Sequence, residues 1–463
     1  MMQVQRARRD HRDMTRGNPV SLILGFSVPL MFGNLFQQLY SIADAVVIGK
    51  FVGVDAFAAV GCASWVCWLI NAFCRDSANA FSVVASVSVG RGDQKTLRRI
   101  IANAAIYGTA ASVLMTGALL MGLPLIIRAL SIPQNICVDA HRYLLVYVLS
   151  IPLALFFNLM TAILRATGDS NVTFRAMTAS TIANIVLDLL FVFVFRWGVL
   201  GAAAATWIST GVSMLIALKA CARQSIFHLE REEFMPDPAI LTDVFRLFAP
   251  MFFNSLIISV GGLYVQKYVN AQGSAFSAGR SAEGKIFCIL EAIIMAVQTG
   301  VSVFVGQNLG AQKIARIRDG LIRITIVTFG MIIVMGTVAM ALRRPMLNLF
   351  LSVEDPASYE EAFRVAYDSC ACVLLGMLIM TPMYIHRVTI QALGHAECSA
   401  FAGACQMIIR ILTIRLGPAL IGVYAYYITD CMAWVVSLPI VSIPCYIYLS
   451  RMIAQQEGRE AGK

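Results

Sequence analysis

Apolar residues run through this chain in blocks of helix length, not in strict alternation. A polar opening, MMQVQRARRDHRDMTRGNP, gives way to an apolar block at Val20, and further blocks follow with only short polar breaks. A helix needs roughly 20 residues to cross the hydrocarbon of a bilayer. The pattern predicts helices at about 20–48, 55–87, 97–122, 139–164, 172–195 and 199–221, then at about 241–269, 275–306, 318–341, 360–391, 397–416 and 420–449. The expected fold is an all-α polytopic membrane protein of about twelve transmembrane helices. A β-barrel is disfavoured by the lack of alternation. A cleaved signal peptide is excluded because the first apolar block is too long and ends in no small-residue cleavage site.

Composition strengthens this reading. Of 463 residues, 59% are hydrophobic and 13% charged, with a mean hydropathy of +0.74; soluble domains carry about 25% charged residues. The net charge of +10 would suggest nucleic acid in a soluble protein. Here the basic residues fall between apolar blocks, so no nucleic-acid partner is expected; the partners are the lipid bilayer and small-molecule substrates, and the protein is expected to be monomeric. With the N-terminus inside, the cytoplasmic segments hold Arg6, Arg8, Arg9, Arg12 and Arg16, then Arg91, Lys95, Arg98, Arg99, Arg223, Arg231, Lys313, Arg316, Arg318, Arg451 and Arg459. The other side has chiefly Lys50, Arg128, Arg196, Arg343 and Arg344. That asymmetry places both termini in the cytoplasm. The twelve cysteines form no CxxC pair, and most lie in apolar runs, where they act as small hydrophobes.

The stretch RQSIFHLEREEFMPDP, Arg223 to Pro238, is the one long hydrophilic connection, and the halves on either side repeat each other. FSVPLMFGNLF around Pro29 matches LFAPMFFNSLI around Pro250, 221 residues on. VSVGRGDQK at Gly90 matches FVGQNLGAQK at Gly310, 220 on, and ILRATGDS at Gly168 matches TIQALGHA at Gly394, 226 on. The expected division is therefore a cytoplasmic segment 1–19, an N-terminal six-helix lobe 20–222, a cytoplasmic linker 223–240, a C-terminal six-helix lobe 241–450 and a tail 451–463. Parallel repeats of this kind form the halves of many secondary transporters.

An acid in hydrocarbon is costly and is a functional candidate by default. Asn34, Gln37, Ser41 and Asp44 follow helical spacing and make one polar stripe on the first helix. Pro29 removes a backbone donor and is a candidate kink, as is Pro250 in the second half. Asp188 is the second acid, with Asn184 one turn before it. In the second half, Glu283, Lys285 and Glu291 fall in the eighth helix, Arg410 in the eleventh and Asp430 in the twelfth. These are expected to form interhelical ion pairs, or else a site for an anionic or zwitterionic substrate. Met31, Tyr40 and Trp65, with Asn34 and Gln37, are candidate lining residues of a substrate cavity.

Several motifs taken together resemble the multidrug and toxic compound extrusion (MATE) family: FSVPLMFGNLFQQLYSIADAVVIGKFVG, NIVLDLLFVFVF, VGRGD, VGQNLGAQKIARIRDG, LRATGD and IQALGHA. The resemblance spans about Asn18 to Ser450. It implies an ion-coupled exporter of amphipathic, often cationic, molecules, with two lobes and alternating access. It also implies that Asp44, Asn184 and Asp188 form a cation-coupling site, with no cofactor beyond a coupling ion, H⁺ or Na⁺. The helices matching the seventh and tenth of the NorM-like branch lack that branch's acids, so the sequence resembles the DinF-like branch. The bacterial inner membrane is the expected location. The alternative, from the wider fold superfamily, is a lipid-linked precursor flippase, which would need more Arg and Lys than the first half supplies. A channel is disfavoured by the repeat. GRSAEGKI, Gly279 to Ile286, misses the phosphate-loop pattern at its last position, and the five histidines have no metal spacing. No metal site, catalytic triad or dinucleotide fingerprint is found, so no enzyme is expected.

Overall fold

The computed structural model describes residues 13–48, 52–129, 134–350 and 356–461. Arg6, Arg8, Arg9, Arg12 and Lys50 lie outside the described residues. The chain is a succession of α-helices with no strand among the described residues. The helices are α1 (Pro19–Val47), α2 (Val54–Arg91), α3 (Gln94–Ala129), α4 (Gln134–Leu149), α5 (Ile151–Ala166), α6 (Asn171–Asp188) and α7 (Gly198–Cys221). They continue as α8 (Pro238–Asn270), α9 (Ser274–Gly310), α10 (Ile314–Phe350), α11 (Pro356–Ala392), α12 (Ala396–Ile421) and α13 (Tyr424–Ala461).

Among the described residues, ten of these are long and apolar enough to cross a bilayer, and the bent pair α4–α5 makes an eleventh. The twelfth expected crossing falls on α2. Its 38 residues would extend about 57 Å at 1.5 Å per residue, and its residues 56–73, AFAAVGCASWVCWLINAF, carry no charge. The single helix expected at 139–164 is two helices, bent by 41°. Pro152 sits in the first turn of α5, and Ser150 Oγ donates to the carbonyl of Tyr147 at 2.6 Å, turning the chain where the ladder breaks. Helices α10 and α13 continue to Phe350 and Ala461, beyond the apolar blocks that marked them, because polar residues can extend a helix into water. GRSAEGKI lies inside α9, so it forms no phosphate-binding loop.

The chain packs into two units, Gly25–Phe248 in one, and Met14–Leu24 with the chain from Ala249 onward in the other. The boundaries cut α1 and α8 just before Pro29 and Pro250; they do not follow the linker. Residues 20–24 and 241–248, which the repeat pattern groups with their own halves, pack with the opposite ones. Both helices start alike. Asn18 Oδ1 accepts from the backbone N of Val20 at 3.0 Å, and Asp237 Oδ1 accepts from Ala239 N at 3.0 Å. A proline follows each cap at the first helical position, where no donor is lost.

In the first unit, α7 packs through small residues. Gly201, Ala202, Ala203 and Ala205 are buried, and a methyl at Gly201 would stand 3.1 Å from Phe191 and Trp197. Without a hydrophobic drive between helices in lipid, close approach through small residues supplies much of the packing. The linker end is clamped to α3: Arg98 Nε and Nη2 donate to Glu233 Oε1 and Oε2 at 2.6 and 2.7 Å, and Asp237 N donates to Asn103 Oδ1 at 2.8 Å. In the second unit, Met377, Met380 and Met383 of α11 are fully buried beside Trp434 of α13. There Met14 is fully buried, its N donating to Gln307 Oε1 at 2.9 Å and its carbonyl accepting from Asn308 Nδ2 at 3.0 Å. All twelve cysteines are free thiols.

Candidate functional site

The acids that stood out in the first half come together within one unit. Asp188 is the last residue of α6, where the α-helix passes into a π-helical turn, Leu189–Val194. Such turns, rare and costly, recur at functional sites. Asp188 and Asn184 are each 1% exposed. Oriented for its best bonding, the Asn184 amide nitrogen donates to Asp188 Oδ2 at 2.7 Å, and its oxygen accepts from the backbone N of Thr206 at 3.2 Å. Thr206 also bonds the Tyr40 hydroxyl through its own hydroxyl at 3.1 Å, which brings α1 to α7.

Asp44 lies on α1 and is half-buried. Asp188 lies within electrostatic reach of Asp44. Asp44 Oδ1 and Asp188 Oδ1 are both buried with no hydrogen-bond partner among the described residues. A buried carboxylate oxygen without a donor is costly, and two acids in mutual reach repel. A proton or a small cation would relieve both costs. Among the described residues no group of three or more His, Cys, Asp or Glu is placed to hold a metal.

The other stripe residues are less enclosed. Asn34, Met31 and Tyr40 are half-buried and Gln37 is exposed; the side chain of Trp65 lies outside the described residues. Pro29 sits inside α1 and Pro250 inside α8, each helix continuing through its proline.

The charged residues of the second half do not all pair between helices. Glu283 is 4% exposed and is held by Arg280, three residues back on the same helix, at 2.7 Å. That corrects the expectation of an interhelical pair there. Lys285 is exposed. Arg410 of α12 does reach across, with Nη2 2.8 Å from Asp430 Oδ1 of α13. Glu291 Oε1 accepts from the Tyr384 hydroxyl of α11 at 3.3 Å. Thr206 was not singled out by sequence, because it sits in a run of small residues where one threonine looks ordinary.

The comparisons agree with this architecture. A single family model, MatE, matches twice, over residues 29–190 and 250–414. The two matches begin at Pro29 and Pro250, the pair that marked the internal repeat. The chain belongs to the MatE family. MatE proteins are transporters, so this MatE chain is a multi-pass membrane transporter and not an enzyme. It is 28% identical over 300 residues to the probable multidrug resistance protein YpnP of Bacillus subtilis, covering 64% of this chain and 67% of that one. It is 25% identical over 408 residues to the multidrug export protein MepA of Staphylococcus aureus, covering 86% and 87% of the two chains. Among solved structures, a MATE crystallised in complex with MaL6 superposes with a TM-score of 0.88 at 20% identity, over 96% of this chain and 99% of that one. That likeness shows the shared fold.

Proposed function

We propose that this MatE protein is a secondary exporter of amphipathic, often cationic, small molecules, driven by proton or sodium antiport. It would work from the bacterial inner membrane with both termini in the cytoplasm. The relatives named for multidrug export or resistance support the substrate class. The coupling reading rests on one observation, the two unpartnered carboxylate oxygens of Asp44 and Asp188 beside Asn184 and Thr206. The lack of intramembrane acids at the matching places in the second half supports the DinF-like branch.

The mechanism follows from the bonding. Pro29 has no N–H to offer the carbonyl of Gly25, so α1 is weakest there. With both acids ionised, their repulsion holds α1 and α6 apart and leaves room for a cationic substrate. Taking up a proton or Na⁺ removes that repulsion, lets α1 repack and closes the space. A downhill ion can drive export only if it binds one of the two conformations better. Substrate and ion then weaken each other's binding by the same factor.

Purified protein in liposomes, with a dye and an imposed proton or sodium gradient, tests this reading. Wild type is expected to move dye uphill, and Asp44→Asn to insert and fold but to lose gradient-driven movement. An Asp44→Asn protein that pumps at the wild-type rate would place the coupling elsewhere. The flippase alternative gains nothing from this site, which is acidic where a pyrophosphate would need cations.

A further inference from the structure

Between α12 and α13 the outer surface of the second unit is hollowed into an open groove of about 650 Å³. Its walls include Cys398 and Phe401 of α12 and Pro439, Ile443 and Pro444 of α13, and Glu397 stands at its edge. The spacing within each set puts those residues on one face of their helix. Both helices are long and apolar enough to cross a bilayer, and Phe401 and Ile443 are exposed, so the groove opens to lipid. Two ring-closed prolines on one wall and the short Cys398 side chain on the other leave space that longer side chains would fill. An apolar hollow of this size does not hold ordered water; in a bilayer, acyl chains are the matter at hand to fill it.

The rim narrows the choice of lipid. Glu397 lies in the first turn of α12 and is exposed, and His395 Nδ1 bonds its Oε1 at 2.9 Å. The His395 ring stacks on Tyr448 of α13 with centroids 3.8 Å apart, which ties the rim to both helices. Pro444, Tyr448 and Arg451 follow one another at i, i+4 and i+7, a single stripe of α13. The stripe that walls the groove therefore leads past the rim to an exposed guanidinium. Apolar walls are followed by a carboxylate and a cation, the complement of an acyl chain followed by an ammonium and a phosphate. A carboxylate accepts hydrogen bonds, which a primary ammonium can donate and a quaternary one cannot. A lipid whose only headgroup charge is its phosphate would set an anion beside Glu397.

We propose that the groove between α12 and α13 is a binding site for one phospholipid with a primary-amine headgroup, phosphatidylethanolamine. Its acyl chain lies along Phe401 and Ile443, its ammonium meets Glu397 and its phosphate meets Arg451. The site belongs to the second unit, whereas the acids assigned to ion coupling belong to the first, and it requires no particular driving ion.

Native mass spectrometry of the detergent-purified protein tests the site, with phosphatidylethanolamine, phosphatidylcholine and phosphatidylglycerol of identical acyl chains offered in turn. Wild type is expected to retain one phosphatidylethanolamine with about threefold or more preference over either other lipid, the scale of an exposed charge pair. Glu397→Gln, a change at an exposed position, is expected to bind phosphatidylethanolamine and phosphatidylcholine alike. Cys398→Phe, which narrows the groove, is expected to weaken retention of all three. Equal retention of the three lipids by wild type, or a preference for phosphatidylglycerol, overturns the proposal whether or not the variants fold. A preference that survives in folded Glu397→Gln protein, or retention unchanged in folded Cys398→Phe protein, overturns it as well. Tetraphenylphosphonium that displaces phosphatidylethanolamine from wild type but is not retained by Glu397→Gln would give the groove to a transported cation and overturn the lipid as its occupant. Paired copies that separate on Phe401→Ala would give it to a second copy of the chain, with the same consequence.

Discussion

At the scale of single residues, Asp188 has two oxygens in unlike settings: Oδ2 accepts from the Asn184 amide, while Oδ1 meets no donor among the described residues. The bonded oxygen fixes the carboxylate's orientation and leaves the other for an arriving ion. Removing the anchor in Asn184→Ala should leave a folded protein whose apparent affinity for the driving ion falls about tenfold, the scale of a hydrogen bond to a charged group. The concentration of ion giving half-maximal dye transport measures this, and an unchanged value would deny Asn184 its orienting role. Asp44, Asn184 and Asp188 were legible in the sequence because polar groups in apolar helices are conspicuous. Thr206 was not, because its role comes from a backbone N–H and a hydroxyl that only folding brings to Asn184 and Tyr40.

At the scale of helices, the long apolar blocks were readable, and their breaks less so. The break between α4 and α5 needs Ser150 and Pro152 to act together, and proline alone decides little, since α1 and α8 continue through theirs. What sets helix contacts is where small residues let backbones approach. A methyl at Gly279 of α9 would strike the Ala362 carbonyl of α11 and stand 2.9 Å from Val365 Cβ, whereas one at Gly284 would meet nothing within 4 Å. Gly279→Val should therefore destabilise the protein by on the order of 1–3 kcal/mol, through overpacking. Gly284→Ala on the same helix should not. Thermal unfolding in detergent compares them, and equal melting points would mean that α9 and α11 are not packed as described.

At the scale of the whole chain, the linker between the halves is a fastened strap. Bonds from Arg98 hold the Glu233 carboxyl down to about 2, below the usual carboxylate range. A carboxyl whose pKa is lower in the folded state stabilises it above the ordinary carboxylate pKa and loses that contribution only as pH falls through the lowered value. Hydrogen exchange at 228–237 should thus be equally protected at pH 7.5 and pH 5.5, and faster at both in Glu233→Gln; protection lost within that range would show a different fastening. Topology gives a second check: in a cysteine-depleted protein, Glu230→Cys should react with an impermeant reagent only after the cell is permeabilised. Ion coupling itself is tested most directly in reverse. Liposomes holding purified protein, loaded with a cationic dye and bathed without it, should drive protons or Na⁺ inward against their gradient as dye leaves, and Asp44→Asn should show no such ion movement. Dye leaving wild-type liposomes with no ion movement of either kind would contradict antiport through Asp44 and Asp188.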